Sequence, residues 1–324
     1  MNHSSNPIPI DALRAAFPGV LQESAPLASY TTARVGGPAE ALLVANSTSQ
    51  LEHFAQRLWG LDLNFIVLGY GSNVVVSDSG LRGVVIINRA RSIVIDAESD
   101  PPMVWAESGA LIGTISRQVA IKGLGGFEWA STVPGTLGGA IYGNAGAFGG
   151  DMQGNLVLAE ILHPQGKELY STERMRYQYR SSILKREKQT AVIMAARLRL
   201  EHSTPAAVKE KMEAFSAQRR HSQPPGASMG SMFKNPSGDY AGRLIEAAGL
   251  KGLKVGGAEI SQIHANFFIN HGQASAADIV ELIRVAREKV VEKFGIRLEL
   301  EVELLGDWTA VENLTSSPNP ETGV

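Results

Sequence analysis

Ten glycines fall within residues 123–150, at positions 123, 125, 126, 135, 138, 139, 143, 146, 149 and 150. Each costs about 0.5–1 kcal/mol relative to alanine when ordered in a helix or strand, and a packed core gains little from a residue without a side chain. So dense a run predicts backbone lying against a large flat ligand. Within it, Ser131-Thr132-Val133-Pro134-Gly135-Thr136-Leu137-Gly138-Gly139-Ala140 and Asn144-Ala145-Gly146-Ala147 alternate small residues with hydroxyl and amide groups. Such groups donate to a diphosphate without any need for Lys or Arg. A flexible loop is the plainer alternative, and the interspersed Val133, Leu137, Ile141 and Tyr142 argue against it.

A second glycine motif, Gly69-Tyr70-Gly71-Ser72-Asn73-Val74, follows an apolar run at residues 64–68. Its glycines let backbone approach a ligand closely and turn free amides toward phosphate oxygens. The dinucleotide fingerprint is not met, because Val74 stands where the third glycine belongs. Taken alone, the motif reads equally well as a tight turn between two strands.

Around these motifs the chain alternates short strands and helices. Residues 40–45 read as a strand, Ser49 and Glu52 as a capping box for a helix ending near Gly60, and residues 64–68, 74–76, 84–87, 93–95 and 103–106 as short strands. Leu111, Ile115 and Val119 fall four apart, which predicts a helix over residues 111–122 stopped by Gly123. Strands return at 156–162 and 191–200. Thr204-Pro205 then opens a helix to about Arg220, with a domain boundary at its start. A loop over 223–238, a helix over 239–248 ended by Gly249, and a helix capped by Ser275 and ended by Gly295 complete an α+β last third. Residues 1–23 read as a surface segment with one short helix over 10–17, and residues 307–324 as a loose tail.

With 324 residues and 44% hydrophobic content the chain can build more than one domain. Thirty Lys and Arg against 32 Asp and Glu leave no broad basic field for nucleic acid or anionic lipid. There is no cysteine, which removes disulfides, thiolate metal sites and a cysteine nucleophile. The seven histidines are scattered without metal-ligand spacing, so no metal is expected. Neither a long uncharged apolar run nor a leader pattern is present, and a cytoplasmic monomer is expected.

The two glycine segments, with Arg34-Val35-Gly36-Gly37-Pro38-Ala39 upstream, resemble the FAD-binding region of the UDP-N-acetylenolpyruvoylglucosamine reductase family. The likeness runs on through Tyr179-Arg180-Ser181-Ser182, Gly230-Ser231-Met232-Phe233-Lys234-Asn235-Pro236, His264-Ala265-Asn266-Phe267 and residues 298–306, and spans about residues 27–306. The absence of a long insertion after Arg180 resembles the short, type II subgroup, which lacks the tyrosine loop that covers substrate in type I. Tyr70, Gly143 and Glu303 depart from the usual family pattern.

The resemblance implies an α+β flavin fold of the vanillyl-alcohol-oxidase type. Residues 25–90 and 91–203 would form two flavin-binding subdomains, residues 204–306 a C-terminal substrate-binding domain, and residues 1–24 and 307–324 an N-terminal extension and a flexible tail. Arg34, Gly69, Gly71, Ser72, Asn73, Pro134, Gly135, Gly138, Gly139, Ala140, Asn144 and Gly146 would hold FAD. Tyr179, Arg219, Lys234, Asn235 and Asn266 would meet the substrate, with Arg220 and Lys251 as further candidates for its diphosphate. NADPH and UDP-N-acetylglucosamine enolpyruvate would use one cleft in turn.

By the same resemblance Arg180, Ser231 and Glu301 are catalytic, and each suits the chemistry. Arg180 brings a fixed guanidinium to a carboxylate, although a surface arginine is the commoner role. Ser231 offers a hydroxyl proton, although most such serines only form turns. Strict alternation over residues 296–304 puts Ile, Leu and Val on one face of an expected strand and Arg297 with three glutamates on the other. Alternation cannot choose among Glu299, Glu301 and Glu303; the family's terminal motif selects Glu301. Two rival readings are an alcohol or sugar oxidase of the same fold and a non-catalytic flavin or nucleotide-sugar module.

Overall fold

The structure is a computed structural model that describes residues 8–308. Of the expected extension and tail, residues 1–7 and 309–324 lie outside the described residues. The chain divides into two compact units, each discontinuous in sequence: residues 8–23, 41–70 and 83–219 in one, and residues 24–40, 71–82 and 220–308 in the other.

The first unit holds two cores. One lies under the helix Thr48–Gly60, whose Leu51, Phe54, Ala55 and Leu58 recur at helical spacing and are buried. The strand Phe65–Leu68 runs parallel to Leu81–Asn88, with Phe65 opposite Val84 and Leu68 opposite Ile87. The helix Ile10–Ala16 corrects the surface reading of the N-terminal segment. Leu13 and Phe17, four apart, are buried in this core, and Phe17 meets Phe54 edge-on at 5.5 Å. A second correction concerns the cap of Thr48–Gly60, which is Ser47 and not Ser49. Ser47 is the last extended residue, and its Oγ accepts the Gln50 N–H.

The other core is built on a five-stranded antiparallel sheet in the order Gly166–Ser171, Leu156–His163, Val192–Arg199, Met103–Glu107, Ile93–Asp96. The helices Ile112–Ile121 and Leu137–Gly143 bury Ile115, Val119, Leu137, Ala140 and Ile141 in the same cluster. Glu107, at the end of its strand, is buried by design of its neighbours: its carboxylate accepts the Thr48 N–H, the Thr48 hydroxyl and the Ser92 N–H. Burial alone raises its pKa, but those hydrogen bonds together hold it below the usual carboxylate value.

The second unit packs the helices Ala241–Ala247 and Ala276–Phe294 with a three-stranded antiparallel sheet, Lys254–Val255, Ala258–Ile260 and Phe268–Asn270. Ser275 and Asp278 form a reciprocal capping box, Ile279, Leu282, Ile283, Ala286 and Val290 are buried, and Gly295 ends the helix in the left-handed region. A cap of this kind contributes about 1 kcal/mol, and each large apolar side chain buried contributes about 1.5–3 kcal/mol. The helix expected from Asp239 begins at Ala241 instead. Asp239 takes the Tyr240 N–H and pairs with Arg243, while Asn235 Oδ1 accepts the Ala241 N–H at 3.1 Å.

The strand expected over 296–304 is also shorter. Only Glu303–Leu305 pairs with a neighbouring strand, parallel to Val74–Val76. Residues 296–302 keep the predicted division of faces, with Leu298 and Val302 buried and Arg297 and Glu299 exposed. Among the described residues no helix is long and apolar enough to cross a membrane.

Candidate functional site

In the first unit the glycine stretch over residues 123–150 folds around a helix that its composition disguises. Thr136 caps Leu137–Gly143, its Oγ1 facing the Gly139 N–H at 3.5 Å. The Leu137 and Gly138 amides are committed to the carbonyls of Ala110 and Ser108, both at 2.8 Å. The helix start therefore offers fewer free amides than its glycines suggest. Some glycines serve close packing: a Cβ on Gly69 would lie 2.2 Å from Thr136 Oγ1, and one on Gly150 would lie 2.4 Å from the Trp129 ring. Gly139 meets only Thr136 Oγ1, at 3.7 Å, and a Cβ on Gly143 or Gly149 meets nothing within 4 Å.

Three buried hydroxyls have no hydrogen-bond partner among the described residues: Ser131 Oγ, Thr132 Oγ1 and Tyr177 OH. Unmet buried hydroxyls are costly, about 1–3 kcal/mol each, and call for a partner that arrives with a ligand. Those of Ser131 and Thr132, just before Pro134-Gly135, suit the polar edge and phosphates of a flavin nucleotide. The residues present therefore fit FAD. The sequence reading quoted both in its motif without giving them a role; a hydroxyl pair next to Pro-Gly was the available signal. Burial, aided by the charge of Asp151, pushes the Tyr177 phenol pKa up, so it stays a neutral donor.

Tyr179 and Arg180 occupy the corners of a turn closed by reciprocal backbone hydrogen bonds between Gln178 and Ser181, at 3.0 and 3.1 Å. Arg180 sits at φ +55° with its guanidinium 5.5 Å from the Tyr179 ring centroid. Ser182, fully buried, donates its hydroxyl to Tyr142 O at 2.7 Å and so ties the turn to the end of the Leu137–Gly143 helix. Asn144, Gly146, Phe148, Tyr179 and Arg180 line an open cleft of about 480 Å³. Phe148 stacks flat on Phe215 of the helix Pro205–Ser222, centroids 4.5 Å apart. Arg219 lies four residues beyond Phe215 and so shares its face. It is half-buried, has no ion-pair or hydrogen-bond partner among the described residues, and burial lowers its pKa.

The second unit brings Ser231, Glu301 and Asn73 onto adjoining backbone. The Glu301 N–H donates to Met232 O at 2.9 Å, and Asn73 Nδ2 donates to Glu301 O at 3.0 Å. Ser231 bridges to Phe267 and lines a cleft of about 370 Å³ with Asn235, Tyr240, Arg243, His264 and Asn266. The Asn266 carboxamide spans the backbone N–H and C=O of Phe233. Lys234 is paired with Glu299 and Lys251 with Glu246, so neither charge is uncompensated. Arg34 lies in a left-handed turn at φ +57°, and Gly71 in another, where a Cβ would strike Tyr30 O at 2.1 Å. Ser72 is half-buried. Arg180 belongs to the first unit, whereas Ser231 and Glu301 belong to the second. Among the described residues no group of three His, Asp or Glu side chains could hold a metal ion.

Residues 39–170 match the model of an FAD-binding domain, and residues 221–305 that of the UDP-N-acetylenolpyruvoylglucosamine reductase C-terminal domain. The chain is 42% identical to the UDP-N-acetylenolpyruvoylglucosamine reductase of Chloroflexus aurantiacus over 90% of its own length and 99% of that protein. To the reductase of Bacillus subtilis it is 37% identical, over 92% of the chain and 98% of that protein. The crystal structure of the Thermus caldophilus enzyme superposes with a TM-score of 0.74 at 34% identity, covering 88% of this chain and 98% of that one. The expected vanillyl-alcohol-oxidase-type flavin fold, with an α+β C-terminal domain, is therefore the fold of this chain.

Proposed function

Because the chain belongs to the UDP-N-acetylenolpyruvoylglucosamine reductase family, we infer that it reduces UDP-N-acetylglucosamine enolpyruvate to UDP-N-acetylmuramate in peptidoglycan precursor synthesis, with FAD as cofactor and NADPH as reductant. One observation carries the choice of reaction. A flavin domain alone would admit the oxidases of the same fold, but the residues that follow it, 221–305, match the reductase's own C-terminal domain.

FAD, when bound, would supply the redox chemistry, the transfer of hydride from NADPH to the methylene carbon of the enolpyruvyl group. Arg34, Gly69, Gly71, Ser72, Asn73, Pro134, Gly135, Gly138, Gly139, Ala140, Asn144 and Gly146 would hold it, joined by the hydroxyls of Ser131 and Thr132. Arg180 pairs with the substrate carboxylate and holds the negative charge that develops beside it. Glu301, if protonated, would share that task. Ser231 gives the proton that completes the saturated carbon; its hydroxyl is a weak acid, but the carbanionic centre is a strong base. One hydride and one proton thus add across one double bond, and NADPH leaves as NADP+.

Tyr179, Arg219, Lys234, Asn235 and Asn266 face the sugar nucleotide in this reading. Arg219 is the better partner for the diphosphate, because Lys234 already answers Glu299. Residues 25–90, 91–203 and 204–306 stand as two flavin subdomains and a substrate domain; the cluster within 104–200 supports the second, while Leu162, Val192 and Met194 join the first cluster and Ala33, Val35 and Val75 the last. The short connection from Ser182 through Ile183–Arg186 to Val192–Arg199 supports the type II subgroup. We place the enzyme in the cytoplasm as a monomer, where its nucleotide substrates are made.

A two-stage colour experiment tests the activity. Purified protein should be yellow, bleach with NADPH in the absence of oxygen, and regain colour when the enolpyruvyl sugar nucleotide is added. Bleaching without recovery would rule out this substrate.

A further inference from the structure

Each glycine-rich stretch contains an asparagine whose carboxamide is turned onto another segment. Asn73 closes the Gly69–Asn73 loop, and its Nδ2 donates to Glu301 O, 228 residues away, at 3.0 Å. Its own carbonyl accepts the Glu303 N–H at 2.9 Å. Both backbone groups of Glu301 are thereby engaged, the N–H by Met232 O beside Ser231 and the carbonyl by Asn73. With its backbone held on both sides, the direction in which Glu301 leaves the chain is fixed.

Asn144 does the same for Arg180. It caps the C-terminus of Leu137–Gly143 in the left-handed region, φ +47°, which Asn tolerates better than most residues. It is buried. Its Nδ2 donates to Gln178 O at 3.2 Å and its Oδ1 accepts the Gln153 N–H at 3.0 Å. Gln178 opens the turn that carries Arg180. Arg180 itself is left-handed, a conformation that costs an L-residue roughly 1–2 kcal/mol. A turn under such strain persists only when its surroundings hold it, and Asn144 is one of the holds.

We propose that Asn73 and Asn144 are positioning residues, each transmitting the seating of its glycine-rich stretch to one catalytic side chain, Glu301 and Arg180 respectively. The proposal rests on the catalytic roles given above. It gives their side chains a task beyond the flavin bed, to which each contributes backbone, since their amides are spent on carbonyls of the substrate-handling segments.

Two substitutions test it. Asn73→Asp preserves size but presents an oxygen where the donor stood. Asn144→Gly preserves the left-handed backbone and removes the clamp. In FAD-loaded protein, the rate of flavin reoxidation by the enolpyruvyl sugar nucleotide is measured with the FAD dissociation constant, read by flavin fluorescence. Each substitution is also combined with its catalytic partner, Glu301→Gln or Arg180→Lys. Expected is a reoxidation rate lowered about tenfold, an FAD affinity changed by less than about threefold, and less than about twofold further loss in the double variants, because the link is already cut. Losses that multiply in the double variants, or an FAD affinity that falls in step with the rate, would overturn it. Should Asn73→Asp lower the melting temperature, Asn73→Ala, which adds no charge, carries the same cycle. Wild-type reoxidation is the control: its failure ends the proposed activity, whereas normal wild-type turnover with multiplying losses ends the positioning roles alone.

Discussion

Asn266 and Phe233 are joined twice: the carboxamide Oδ1 of Asn266 accepts the Phe233 N–H at 2.9 Å, and its Nδ2 donates to the Phe233 carbonyl at 2.8 Å. Asn266 is 2% exposed, so no water replaces either bond. The backbone carbonyl of Asn266 also accepts the Met232 N–H at 2.8 Å, which fixes the residue directly after Ser231. Asn266→Ala leaves two buried backbone groups of Phe233 unpaired. A stability loss of about 2–4 kcal/mol is expected, read from the urea midpoint. A loss below about 0.5 kcal/mol would mean that the segment relaxes without its clamp.

Ser231→Ala separates the two half-reactions. Flavin reduction by NADPH needs no proton from this side chain, whereas saturation of the enolpyruvyl carbon does. Reoxidation by the sugar nucleotide should slow by roughly 10²–10⁴-fold while bleaching by NADPH continues. Stopped-flow absorbance of each half-reaction measures both. Equal damage to the two would remove Ser231 from the proton-donor role.

Some of this was legible in the residues and some was not. The helix Ala276–Phe294 was fully legible because its cap, its apolar stripe and its terminating glycine all agree locally. The helix Leu137–Gly143 was hidden, since three of its seven residues are glycine and glycine is a poor helix former. Burial of Leu137, Ala140 and Ile141 overrides that preference, and only their spacing hinted at it. Alternation over 296–304 gave the faces but not the pairing, because its strand partner Val74–Val76 lies more than 200 residues earlier. Glu299 is set apart by its pairing with Lys234, and Glu301 by its backbone bonds to Met232 and Asn73. No local pattern encodes bonds of that range, which is why the backbone bonds made by the amides of Asn73, Asn144 and Asn266 were not legible beside their expected ligand contacts.

His264 gives the protein a pH signature. Burial, helped by the nearby charge of Lys251, pushes its pKa below the ordinary histidine value, against smaller opposing contributions from its own backbone and Glu246. The unfolded chain takes up this proton near pH ~6.5 and the folded chain only at lower pH, so the unfolded state binds more protons between the two values. Stability therefore rises with pH through that window and falls on acidification below about pH 6.5. His264→Gln should flatten the slope, as measured by urea midpoints across the window. An unchanged slope would assign the acid sensitivity to other groups. Because Nδ1 accepts the Asn266 N–H at 3.2 Å, the neutral ring carries its proton on Nε2, and glutamine keeps a donor there.

Two glycines of the flavin-binding stretches predict opposite outcomes. At Gly69 a methyl group would sit 2.2 Å from Thr136 Oγ1 and 2.8 Å from its Cγ2, displacing the residue that caps Leu137–Gly143. Gly69→Ala should cost about 1–3 kcal/mol and lower the flavin retained per mole of protein. At Gly143 a methyl group meets no described residue outside its own helix and chain neighbours within 4 Å, and the residue ends the same helix with no positive φ to strain. Gly143→Ala should stabilise by up to about 1 kcal/mol through helix propensity. Thermal melting and flavin absorbance, taken on the same samples, separate the effects. If Gly143→Ala folds well but purifies colourless, the space beside Gly143 is where the cofactor lies, and the helix-propensity gain is then irrelevant to the loaded enzyme.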